Sequence, residues 1–65
     1  MHTLYVKLPY SRPVLEAVLR QLLSRAGVVA PRRCTDEALR QAGIEYVLTD
    51  EREKKRCRVQ LVRSG

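Results

Sequence analysis

The sequence has few of the residues that build metal centres and disulfide frameworks. Its 65 residues include one histidine, His2, and two cysteines, Cys34 and Cys57. The cysteines lie far apart and form no CxxC pair, so a four-ligand zinc site cannot easily be assembled. No secretory-type segment precedes the first predicted strand, and we expect a cytoplasmic protein with both thiols free. No metal and no cofactor are expected.

Long apolar runs and catalytic motifs are also missing. No run approaches the roughly 18 apolar residues needed to cross a bilayer, so no membrane association is expected. Almost all of the carboxylates fall on predicted solvent faces, helix ends or a hairpin tip, where nothing would raise their pKa values. We therefore expect a protein that is not an enzyme and has no catalytic residues.

Positive charge, in contrast, is abundant. The chain has 13 Lys and Arg residues against 7 Asp and Glu residues, for a net charge of +6. Such a balance favours an anionic partner, because it raises the local concentration of phosphate-bearing ligands. Nucleic acid is therefore the first partner to consider.

The length of the chain allows one domain, residues 1–65. A chain this short buries only about 60% of the surface that its unfolded form exposes, and its core is usually marginal without further support. With disulfides and metals disfavoured, we expect a homodimer to supply that support.

Hydrophobic patterns predict a strand and a long helix first. Residues 3–8, TLYVKL, alternate between apolar and polar side chains and predict a half-buried strand that ends at Pro9. Ser11 is the expected N-cap of the helix that follows, and Gly27 is its expected end. The apolar residues at helical spacing are Val14, Leu15, Val18, Leu19, Leu22, Leu23 and Ala26.

The polar face of this helix has its own pattern. Arg12, Glu16 and Arg20 follow one another at four-residue intervals, away from the apolar stripe. Glu16 and Arg20 are placed to form a favourable i,i+4 ion pair.

A short helix over 36–42 and a hairpin complete the predicted elements. Thr35 is the expected N-cap of the short helix, and Gly43 can end it. Residues 44–50 and 56–62 then alternate as two strands.

Matching the apolar faces of these two strands predicts their register. The antiparallel pairs would be Ile44 with Leu61, Tyr46 with Val59, Leu48 with Cys57, and Asp50 with Lys55. The loop is then the four residues 51–54, EREK, which is formally neutral. A one-residue slip would send one apolar set into water, so the loop must have an even length.

These elements predict an α+β domain of β-α-α-β-β order. We expect a three-stranded sheet, mixed or antiparallel, with both helices packed on its apolar face. The other face would then have nothing from the chain to cover it.

The uncovered sheet face and the basic loops contain the candidate binding residues. Tyr5 could stack on a base, while Lys7, Arg56 and Arg58 could contact phosphates. The adjacent pair Arg32 and Arg33 could also hold a phosphate. The full predicted nucleic-acid-binding set is Tyr5, Lys7, Arg32, Arg33, Lys54, Lys55, Arg56 and Arg58.

The element order also resembles the winged-helix topology, with residues 36–42 as the recognition helix and 51–55 as the wing. The chain lacks the additional leading helix of that fold, and Asp36 and Glu37 would approach the phosphates with like charge. In that arrangement Arg40 and Gln41 would read bases. The order is similar to that of the KH module as well, but the connection AGVVAPRRC lacks the GxxG clamp.

We therefore expect a small basic, non-enzymatic protein that contacts RNA or DNA through a basic sheet face and loop. The alternative is a protein-interaction module, such as a small phage or bacterial regulator. Such a module would dock on a protein partner by its uncovered sheet face or a strand edge.

Overall fold

The computed structural model describes residues 2–63. Its elements in chain order are β1 (Thr3–Lys7), α1 (Arg12–Arg25), α2 (Asp36–Gln41), β2 (Glu45–Glu51) and β3 (Arg56–Arg63), with a 3-10 turn at Arg52–Lys54. The predicted α+β class and the β-α-α-β-β order are confirmed.

The three strands form one antiparallel sheet. Its spatial order is β1-β3-β2, so the strand that comes last in the chain is the central one. Both β1 and β2 pair antiparallel with β3 and form the two edges of the sheet. The sequence predicted either a mixed or an antiparallel sheet, and the sheet is antiparallel.

One core joins the sheet to the helices. Its buried members from the sheet and from α1 are Val6, Cys57, Val59, Leu61, Leu15, Leu19, Leu22 and Leu23. Cys34, Leu39 of α2 and Ile44 complete it. α1 contacts both β1 and β3. The packing of both helices on one sheet face stays a prediction, although Leu39 belongs to the same core as the leucines of α1.

The two ends of α1 differ from each other in how they are capped. Ser11 occupies the predicted N-cap position, but its side chain makes no capping hydrogen bond. At the other end Gly27 has a φ of 72°, and the Val28 amide donates to the Leu23 carbonyl at 2.9 Å. This is the Schellman arrangement, in which a residue in the left-handed region satisfies the last carbonyls of a helix.

α2 has a side-chain cap and ends in the same way. The Thr35 hydroxyl accepts a hydrogen bond from the Ala38 amide at 3.2 Å, as predicted. Gly43 has a φ of 75°, and the Ile44 amide donates to the Leu39 carbonyl at 2.8 Å. The backbone of Ile44 therefore belongs to the end of the helix, while its side chain enters the core.

This use of Ile44 explains an error in the predicted register. The sequence pattern placed Ile44 opposite Leu61, but Tyr46 takes that position. The other predicted pairs shift by the same two residues: Leu48 lies opposite Val59, and Asp50 lies opposite Cys57. A shift of two leaves the side chains of residues 46–50 on their predicted faces, because side chains alternate with a period of two.

The shift moves the hairpin loop by one residue, to 52–55. The predicted pairing of Asp50 with Lys55 is wrong, and Glu51 lies opposite Arg56 instead. The loop keeps its predicted length of four and is built on a 3-10 turn, with Lys55 in the left-handed region at a φ of 52°. The sequence REKK has three bases and one acid, so the tip is basic rather than neutral.

The polar face of α1 also differs from the prediction. Glu16 pairs with Arg12, whose Nε lies 3.6 Å from Oε1 of Glu16, and not with Arg20. Arg20 donates instead to the backbone carbonyl of Arg32. This face therefore holds the connection between the two helices rather than an internal ion pair.

Candidate nucleic-acid interface

The sheet surface opposite the core, called the open face below, is accessible. Tyr5, Val47 and Val62 are 48%, 47% and 58% exposed. By the alternation of the three strands, its side chains are Thr3, Tyr5, Lys7, Val47, Thr49, Glu51, Arg56, Arg58, Gln60 and Val62.

The ladder arranges four of the predicted binding residues on this open face. Tyr5 lies opposite Arg58, and Lys7 lies opposite Arg56. On the other side of the central strand, Arg56 faces Glu51. Side chains directly across an antiparallel ladder are near enough to interact, so these residues form one continuous surface.

Arg56 is held on both sides within this surface. Its Nε donates to Oε1 of Glu51 at 2.7 Å, and its guanidinium carbon lies 4.0 Å from the centroid of the Tyr5 ring. The hydrogen bond from Arg56 lowers the pKa of the Glu51 carboxyl below its ordinary value. The charge of Arg56 is therefore compensated, and one face of the Tyr5 ring is covered.

Lys7 and Arg58 are not compensated in this way. Among residues 2–63, no carboxylate oxygen lies within 4.0 Å of either cationic group. Nε of Arg58 is buried and has no hydrogen-bond acceptor. These are the two cations of the open face that have charge to offer an anionic ligand.

The other four predicted binding residues lie elsewhere. Lys54 and Lys55 are exposed at the tip of the β2–β3 hairpin, where the Lys55 carbonyl accepts the Leu8 amide at 2.9 Å. Arg32 and Arg33 are exposed in the connection between α1 and α2. The eight predicted residues thus occupy three places: the open face, the hairpin tip and the interhelical connection.

A second polar cluster, which the sequence pattern did not predict, joins both helices to β2. The Tyr46 hydroxyl donates to Oδ1 of Asp36 at 2.7 Å. Nη2 of Arg12 lies 3.3 Å from the same oxygen and donates to the Cys34 carbonyl at 2.9 Å. These contacts join residues far apart in the chain, and no local pattern marks them.

The groups of this cluster shift one another's pKa values. The hydrogen bond from Tyr46, assisted by Arg12, lowers the pKa of the Asp36 carboxyl. Burial raises the pKa of the Tyr46 phenol, and the hydrogen bond to Asp36 raises it further. The cluster binds the acidic end of α2 to the domain, which disfavours α2 as a helix that enters a DNA groove.

A shallow groove of about 660 Å³ lies beside the first residues of β2. Its apolar lining includes Leu39, Tyr46 and Val62, and its charged residues include Arg40 and Arg63. The adjacent edge of β2 pairs with no other strand among residues 2–63. This groove is a concave surface beside the edge of the sheet.

Both cysteines lie in the core rather than at a binding surface. Cys34 and Cys57 are free and buried, and burial, followed by the neighbouring Asp50, raises the pKa of the Cys57 thiol. Within the described part of the chain no group of three or more His, Cys, Asp or Glu side chains could hold a metal ion. None of its helices combines the length and the apolar character needed to cross a bilayer.

Comparisons of the chain with protein-family models, with curated proteins and with solved structures gave no match. Its function must therefore be inferred from its own residues.

Proposed function

We propose that the protein is a non-enzymatic binding protein whose open face binds single-stranded nucleic acid. One observation carries the proposal: the ladder places Lys7 and Arg58, two cations without a carboxylate partner, beside the exposed ring of Tyr5.

The chemistry of these side chains suits a single strand. Lysine and arginine contact phosphates, and an aromatic ring stacks on any base because every base has a π-face. An open sheet surface admits splayed bases more readily than it enters the groove of a duplex. The net charge of +6 adds an attraction at long range that is independent of sequence.

Each of the four residues has its own role in the proposed binding. Lys7 and Arg58 contact phosphates, and Tyr5 stacks through the ring face that Arg56 leaves uncovered. Arg56 contributes less charge than the other two cations because Glu51 neutralises it. Its guanidinium group covers the other face of the Tyr5 ring.

Fluorescence anisotropy tests this proposal. Labelled single-stranded and duplex oligonucleotides of equal length are titrated between low and physiological salt. We expect tighter binding of the single strand and a linear fall of log affinity with log salt. Each phosphate contact contributes about 0.7 to that slope for a single strand.

Three variants locate the interface. Lys7→Gln and Arg58→Gln should each lower the salt slope by about 0.7, the contribution of one contact, since each removes one phosphate partner. Arg40→Gln removes the same charge from an exposed residue outside the open face and should leave the slope unchanged. No binding of wild-type protein at low salt, or equal losses in all three variants, would refute the proposal.

A protein partner is the second candidate, and the groove beside β2 favours it. The unpaired edge of β2 can accept an extended segment of a partner as a fourth strand, while the groove receives its side chains. Replacing Leu48, which is 37% exposed on this strand, by proline would remove a backbone donor. Loss of a protein complex in Leu48→Pro, with binding of nucleic acid intact, would identify this mode.

The compartment and the oligomeric state are part of the same proposal. Two free, buried thiols suit the reducing cytoplasm. A homodimer would enlarge the small core, and light scattering that finds a stable monomer at micromolar concentration would contradict it.

A further inference from the structure

The connection between α1 and α2 is held against α1 by two arginines of that helix. Arg20 donates to the carbonyl of Arg32, and Arg12 donates to the carbonyl of Cys34 at 2.9 Å. Because the two donors are eight residues apart on one helix, they fix the connection at two points. The connection is thus a built part of the surface rather than a free loop.

The charges at these two points differ. Arg12 has two carboxylate neighbours, Glu16 and Asp36, and its charge is compensated. Arg20, Arg32 and Arg33, which we call the arginine patch, have none within ion-pair distance among residues 2–63. All three are exposed.

The hydrogen bond from Arg20 draws its guanidinium group to the backbone of the adjacent arginine pair. Three positive charges on the same part of the surface attract an anion. Arginine is suited to that anion when it is a phosphate, since the guanidinium fork can bind two of its oxygens at once. The patch therefore has the composition of a phosphate-binding surface.

The arginine patch and the open face are on opposite sides of the sheet. α1 contacts β1 and β3 through the core, and its leucines pack with Val6 and Val59. Tyr5 and Arg58 alternate with these residues along the strands and therefore project away from α1. A short segment of nucleic acid on the open face leaves the patch free.

We propose that the arginine patch binds the phosphates of a second nucleic-acid segment, so that one domain bridges two strands. This inference rests on the proposed binding of a first strand to the open face. The protein would then act as a connector that brings two single strands, or two parts of one strand, together.

Energy transfer between two oligonucleotides tests bridging. One short single strand has a donor dye and another has an acceptor dye. Wild-type protein should produce energy transfer that rises to a maximum and falls again at excess protein, when each strand has its own domain. In Arg32→Gln with Arg33→Gln, energy transfer should be lost while anisotropy still reports binding of one strand.

Control variants separate the possible causes. The pair Arg40→Gln with Arg63→Gln removes the same charge elsewhere and should retain energy transfer. Arg32→Lys with Arg33→Lys keeps the positive charge and should retain most of the energy transfer. A loss seen only in the glutamine variant would then come from the missing charge and not from a loss of folding. Circular dichroism reports the folding of every variant.

Each outcome has a definite meaning. Binding without energy transfer in wild-type protein overturns the bridging inference and leaves the proposed function intact. Energy transfer that persists in Arg32→Gln with Arg33→Gln also overturns it, because two open faces of a dimer would then make the bridge. Binding of polyglutamate that depends on the patch, without any bridging, would overturn it in favour of an acidic protein partner.

Discussion

The guanidinium carbon of Arg56 lies 4.0 Å from the ring centroid of Tyr5, and the same side chain donates to Glu51 at 2.7 Å. One arginine of the central strand thus joins an aromatic side chain of one edge strand to a carboxylate of the other. A cation–π contact at an exposed site contributes about 0.5–1 kcal/mol. A phosphate that contacts the Arg56 guanidinium group would compete with its hydrogen bond to Glu51.

Glu51→Gln should therefore increase the affinity for single-stranded nucleic acid. The change removes the carboxylate that compensates Arg56 and leaves its guanidinium group free to contact a phosphate. We expect the salt slope measured by anisotropy to rise by up to about 0.7, the contribution of one contact.

Glu53→Gln is the matched control for this prediction. Glu53 is exposed at the hairpin tip and has no ion-pair partner within 4.0 Å among the residues that the structure describes. Both variants raise the net charge by one. An equal gain in the two would show that total charge, rather than the release of Arg56, determines affinity.

Tyr46→Phe should destabilise the domain by about 1 kcal/mol at neutral pH, the usual net contribution of one hydrogen bond. The side chain of Asp36 is 75% exposed, so solvent weakens the charged contact and the loss should not exceed this value. Urea unfolding at several pH values measures the effect.

The pH dependence follows from the lowered pKa of Asp36. A carboxyl whose pKa is lower in the folded state stabilises that state above its unfolded pKa of about 3.9. The stabilisation is lost as the pH falls through the folded-state pKa. The difference between wild type and Tyr46→Phe should accordingly shrink below about pH 4.

Tyr5→Phe is the control for Tyr46→Phe, because it also removes one tyrosine hydroxyl. The Tyr5 hydroxyl makes no hydrogen bond within residues 2–63, so this variant should keep the acid dependence of the wild type. A double-mutant cycle of Tyr46→Phe with Asp36→Asn should show coupling. Strict additivity in that cycle would disprove the hydrogen bond.

Gly27→Ala should cost about 1–2 kcal/mol, the energy of a left-handed conformation for a residue with a Cβ atom. A Cβ atom at Gly27 would meet nothing within 4 Å, so the cost comes from the φ of 72° and not from a clash. Gly27→Asn should cost less, because asparagine tolerates this region. Equal losses in the two variants, measured by urea unfolding, would contradict this cause.

The sequence allowed the helices and strands to be predicted because their signals are local. The leucines of α1 recur at helical spacing, and Thr35 and Gly43 mark the ends of α2. The even length of the hairpin loop follows from the same alternation that divides the strands into an inner and an outer face. For this reason the two-residue error in register left Val47 and Thr49 on their predicted face, while Glu51 joined them from the predicted loop.

The register itself could not be predicted from alternation. Ile44 has the apolar character of a strand residue, yet its amide satisfies the Leu39 carbonyl at the end of α2. Helix capping and strand pairing competed for this residue, and capping prevailed. The error concealed the pairing of Glu51 with Arg56, which decides how much charge the open face presents.

The cluster of Arg12, Asp36 and Tyr46 shows a different limit of prediction. Its members come from two helices and a strand, and each residue alone resembles a solvated polar side chain. Only the packing of these elements brings the three together. Packing also creates the hydrogen bond from Arg20 to the carbonyl of Arg32, on which the arginine patch depends.

The central position of β3 has a consequence for synthesis of the chain. Thr3 pairs with Gln60 and Lys7 pairs with Arg56, so β1 finds its neighbour only at a late position in the sequence. On the ribosome, both helices emerge before any part of the sheet can form. A polypeptide interrupted before residue 56 would expose two unpaired strands, which are prone to aggregate, and would lack the strand on which Arg58 lies.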